Sequence, residues 1–76
     1  MQALQVIAYA GHRGEQEPRT LVIDGERLDV LGIDDRWYDQ DGRYFKAAAS
    51  DGRIYLIRCD ARDSSWSLIR VWQLDA

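Results

Sequence analysis

Apolar and polar positions alternate along most of this chain with the two-residue period of a β-strand, in short runs bounded by glycine, aspartate and proline. The densest stretch is Asp34 to Asp60, DDRWYDQDGRYFKAAASDGRIYLIRCD. Within it, Arg43–Ala49 and Arg53–Cys59 read as paired strands turned by Ser50-Asp51-Gly52. Asp-Gly between two alternating runs favours a tight primed turn, because such a turn needs positive φ and glycine adopts it without a steric cost. That hairpin is the predicted spine of the fold.

The other elements follow in order. Gln2–Ala10 alternates loosely, with Leu4, Val6 and Ala8 on one face and Ile7 and Tyr9 on the other, which predicts a first strand. Gly11–Pro18 is a loop by composition. Arg19–Asp24 reads as a second strand with Leu21 and Ile23 inward, and Asp24-Gly25 turns it into Glu26–Ile33. Gly32 marks a bulge or bend, beyond which Ile33–Tyr38 extends the strand around a core. A turn at Asp39–Gly42 leads into the central hairpin. The echo of DGRYF and DGRIY is read as one turn chemistry used twice, and Asp60–Ser65 is a polar loop.

Trp66–Leu74 closes the chain. As a strand it places Trp66, Leu68 and Trp72 on one face and Ile69 and Val71 on the other. As a helix capped by Asp63 or Ser64, it would carry Leu68, Val71 and Trp72 as a stripe. Its Trp, Ile and Val content favours the strand. The expectation is therefore an all-β fold of five to six antiparallel strands in one domain, residues 1–76. A small SH3-like barrel or a strongly bent meander would accommodate it, and barrel closure would remove exposed sheet edges.

Composition narrows the chemistry. Seventy-six residues hold one cysteine, Cys59, and one histidine, His12, so neither an intrachain disulfide nor a Cys/His zinc site is available. The core must rest on apolar packing, to which three Trp, four Tyr and one Phe contribute. The N-terminal run lacks the basic start and long apolar centre of a signal peptide and is too short to span a bilayer, so a cytoplasmic protein with no membrane partner is expected. The net charge of −3 argues against whole-surface attraction to nucleic acid.

Several residues carry a likeness to a known group. Gly11, Arg13, Glu17, Pro18 and Arg19, then Asp35-Arg36-Trp37 and Tyr44-Phe45-Lys46, then Asp51, Gly52, Tyr55, Leu56 and Arg58, and finally Trp66 follow a recurring pattern. In these the chain resembles a family of very small bacterial cytoplasmic proteins with no established activity. The resemblance covers roughly residues 9 to 68 and implies a small β-domain in the cytoplasm.

No arrangement for catalysis is evident. A nucleophile needs a base within hydrogen-bond reach, and nothing in the sequence brings Cys59 and His12 together. Cys59 reads as core and His12 as a loop residue. Asp34, Asp35, Asp39 and Asp41 fail the calcium-loop spacing, since Trp37 and Ala48 fall at ligand positions, and they read as turn formers. No metal or cofactor is called for.

The candidate binding residues are Arg36, Trp37, Arg43, Tyr44 and Lys46, which interleave bases with ring faces. Ile69, Val71 and Trp72 are a candidate edge for a partner or a second copy. The leading expectation is a non-catalytic module that docks on a partner protein, with a homodimer through the last strand. The alternative is a nucleic-acid-binding β-barrel using the Arg/aromatic surface, against which the neighbouring aspartates weigh.

Overall fold

The structure is a computed structural model and describes residues 4–10 and 16–73. It is all-β. Six strands run β1 (Leu4–Ala10), β2 (Gln16–Ile23), β3 (Glu26–Asp39), β4 (Gly42–Ala49), β5 (Arg53–Asp60) and β6 (Trp66–Gln73). Each pairs antiparallel with the next, in the order of the sequence, and the sheet curls into a half-barrel. This is the bent meander that the alternation calls for. The last segment is a strand and not a helix, and its expected end at Leu74 lies outside the described residues.

The concave side holds one core of Leu21, Ile23, Leu28, Phe45, Ala49, Tyr55 and Ile57. Leu4, Val6, Val30, Ile33, Trp66 and Leu68 pack against it. These positions alternate along each strand, so the two-residue period directs one apolar face inward.

The curl comes from β3, which is long enough to serve both halves of the sheet. Its first residues pair with β2, from Ile23↔Glu26 to Thr20↔Asp29. From Val30 onward it pairs with β4. The register slips between Val30 and Gly32 and again between Ile33 and Asp35, leaving Leu31 and Asp34 as extra residues. Such bulges bend a strand and increase its twist, and the first lies beside Gly32 as expected. Ser50 pins the corner: its N–H donates to Asp29 O at 2.8 Å and its Oγ accepts from Asp29 N at 3.0 Å.

The turns divide into types. At Asp24-Gly25 both residues have positive φ, 51° and 87°, as a two-residue primed turn requires. At Ser50-Asp51-Gly52 only Gly52 does, at 82°, and Gly52 N bonds Ala49 O at 3.0 Å. That is a three-residue hairpin loop and not the tight primed turn expected there. At the third site the loop is Gln40-Asp41, and Gly42 is already the first residue of β4, paired with Asp39. The two Asp-Gly echoes therefore do different work.

Two further expectations are corrected. The loop assigned to Gly11–Pro18 ends earlier, because β2 starts at Gln16 and includes Pro18. Pro18 is fully buried and is tolerated where β2 pairs only with β1, at a register shift that skips Arg19 (Ile7↔Thr20, Ala8↔Pro18). Closure is also partial: among the described residues β1 and β6 approach each other without pairing, so each is a sheet edge there.

Candidate functional site

β2 and β3 pair over only four residues each and then part. Among the described residues, β2 beyond Thr20 pairs only with β1, and β3 beyond Asp29 pairs only with β4. The parting opens a cleft of about 430 Å³ lined by Arg36, Trp37, Arg43 and Tyr44 together with Glu17, Tyr38 and Phe45. Four of the five expected binding residues thus meet at one place. The volume lies within the range of small ligand and peptide pockets.

Alternation separates these side chains by face. Cross-strand partners share a face, so Arg36↔Phe45 and Tyr38↔Arg43 lie on the core side, and Trp37↔Tyr44 lies on the opposite, convex side. Arg36 bridges the gap to β2: its Nη1 is 2.9 Å from Glu17 Oε1. Both side chains are well solvated, so the pair is an exchangeable latch contributing at most about 1 kcal/mol. The Arg43 guanidinium lies 5.8 Å from the centre of the buried Phe45 ring, and its Nη2 is 4.0 Å from Cys59 Sγ. On the convex side Trp37 and Tyr44 stack, with centroids 5.3 Å apart and planes 4° from parallel.

Lys46 is not in the cleft. Its Nζ sits 5.0 Å from the centre of the Trp72 ring, and the Arg70 guanidinium sits 5.0 Å from the same centre. Trp72 is there because β6 carries a bulge: Leu56 pairs with Arg70 and Ile57 with Leu68, so Ile69 is extra. The bulge reverses the alternation. Trp66 and Leu68 face the core as expected, but Trp72, opposite Ile54, faces the convex side, while Val71 shares the side of Tyr55. Ile69, Val71 and Trp72 therefore do not form one face. Ile69 and Val71 are exposed at the sheet edge, and an open groove runs along them from Leu4 to Arg70.

Sequence reasoning missed Arg58 and Arg70. Arg58 stands opposite Tyr44 in the register and hydrogen-bonds the Tyr44 hydroxyl, which raises its pKa above the ordinary arginine value. The Asp41 and Asp60 carboxylates nearby act in the same direction. Both arginines were legible only through cross-strand register, which composition does not contain.

Of the four aspartates expected to form turns, Asp39 and Asp41 lie at the β3–β4 turn, whereas Asp34 and Asp35 lie within β3, Asp34 at a bulge and Asp35 opposite Lys46. Asp39 Oδ1 accepts from Asp41 N at 2.8 Å and Gly42 N at 3.2 Å. Asp51, Asp60 and Asp63 likewise accept from the backbone N–H two residues on. The bonds from Ser65 hold the Asp63 carboxyl below its usual range. Cys59 is buried on the core side, opposite Trp66. His12 lies outside the described residues. No protein-family model matches the chain, and neither does any curated protein or solved structure compared with it.

Proposed function

We propose that the protein is a non-catalytic docking module that takes an extended segment of a partner protein at the parting of β2 and β3. The observation that supports this reading is the cleft itself. It combines an apolar floor at Phe45, two guanidiniums from Arg36 and Arg43, and an edge along the second half of β3 that pairs with no second strand among the described residues. An extended peptide can pair with such an edge through its main chain, while side chains in the cleft set specificity. The solvated Glu17–Arg36 pair can exchange for a partner carboxylate at little cost. The open edge of β6, with Ile69 and Val71 exposed, is a second contact strip of the same kind and suits a second copy of the chain. A cytoplasmic setting fits the single thiol at Cys59.

Capture of the tagged protein's partners from native lysate, with and without nuclease, tests the reading. The expected result is a partner protein that survives nuclease, is lost with Arg36→Glu and is kept with Arg62→Glu. Retention unaffected by Arg36→Glu would overturn it.

A further inference from the structure

On the convex side, away from the core and distinct from the docking cleft's floor, the cross-strand rows starting at Tyr44, Lys46 and Ala48 run across β4, β5 and β6. They carry three cations, Lys46, Arg58 and Arg70, and no carboxylate. This is unusual in a chain with thirteen acidic residues and a net charge of −3. On β3 the rows meet Trp37 and one acid, Asp35, whose Oδ1 is engaged by Arg36 N at 2.9 Å. Asp41 and Asp60 lie beside Arg58 at the rim and Asp35 stands opposite Lys46, leaving Arg70, which is exposed, as the most open charge.

The rings are arranged to serve these charges. Trp72 holds Lys46 and Arg70 together, each 5.0 Å from its centre. Trp37, backed by Tyr44 on one side, remains 39% exposed. Two strand spacings, roughly 10 Å, separate the β4 and β6 positions across the sheet. Phosphates on cations and bases on an exposed ring are the two components of single-strand recognition on small β-folds.

We infer that the convex face of β3–β6 is a binding site for single-stranded nucleic acid, with Lys46, Arg58 and Arg70 on phosphates and Trp37 stacking a base. The residues differ from those the sequence singled out: Arg36 and Arg43 belong to the core side, and Arg58 and Arg70 take their places. The site shares Trp37 and Tyr44 with the wall of the docking cleft, but Arg70 lies outside that cleft, so Arg70→Glu tests the site separately from the docking reading.

Fluorescence anisotropy with a labelled short oligothymidylate tests the assignment on the full chain. Binding should occur at low salt, with a log–log salt slope of about −2 for three phosphate contacts on a single strand. Arg70→Glu, at an exposed position that leaves the fold intact, should weaken it about tenfold, as should Trp37→Ala through the lost stacking. Arg27→Glu, the same charge change at an exposed position where β3 pairs with β2, should have little effect. Three results would overturn the assignment: no binding at low salt, equal affinity for a duplex of the same length, or an Arg27→Glu loss as large as that of Arg70→Glu.

Discussion

Gly42 shows how one residue can be fixed by its neighbour across the sheet. A Cβ at this position would overlap the Cys59 carbonyl oxygen and crowd the backbone of Asp60. The obstruction is main chain in a paired strand, so a side chain cannot turn away to relieve it. Gly42→Ala should therefore cost about 1–3 kcal/mol and lower the melting temperature by roughly 10 °C in a domain of this size. Thermal unfolding followed by circular dichroism would read it, and an unchanged midpoint would refute the close approach. The Asp-Gly dipeptide announced a turn here, but the reason for the glycine was not in the sequence. It lies on β5, the next strand in the chain, where only register could place it.

At the scale of elements, the β4–β5 hairpin is the best-determined piece. Its alternation, the place of its turn and its boundaries to within one residue were legible, because each is a local property of the chain, whereas the type of the turn was not. Tyr55 ties the turn to the strand by donating its hydroxyl hydrogen to Asp51 Oδ2. Burial, and next this bond, raises the Tyr55 pKa above its ordinary value of 10.0. A raised folded-state value means the stabilisation is complete below pH 10.0 and is lost as pH rises through the higher folded value. Tyr55→Phe should cost about 1–2 kcal/mol at neutral pH through the lost hydrogen bond. The variant should also lose less stability than the parent at alkaline pH, as urea unfolding at the two pH values would show. Equal losses in both proteins would remove Tyr55 from the account.

The bulges were much less legible. An extra residue at Leu31, Asp34 or Ile69 leaves the composition of its strand intact, and only Gly32 gave a local sign of one. Yet each bulge reverses the alternation beyond it. That is why Trp72 was expected beside Trp66 and is found on the other side of the sheet. The same alternation split the candidate site: Arg36 and Arg43 turn inward, Trp37 and Tyr44 outward, although all four still border the cleft. Residue types that bind were identifiable from sequence, whereas the faces that present them had to come from register.

For the whole molecule, the decisive feature is that six strands curl without closing. One core is shared by all of them, but β3 is too long to remain beside β2 over its full length, and β6 approaches β1 without pairing with it among the described residues. A closed barrel would hide these edges; this half-barrel displays them, and docking by strand addition depends on that display. Residue-resolved amide hydrogen exchange by NMR tests this most directly. The account predicts slow exchange at successive amides of β4 and β5, which are paired on both sides. It predicts alternating slow and fast exchange along Asp34–Asp39 of β3 and along β6. Uniformly slow exchange through both of those segments would mean that their outer edges are already paired, and would contradict the open half-barrel.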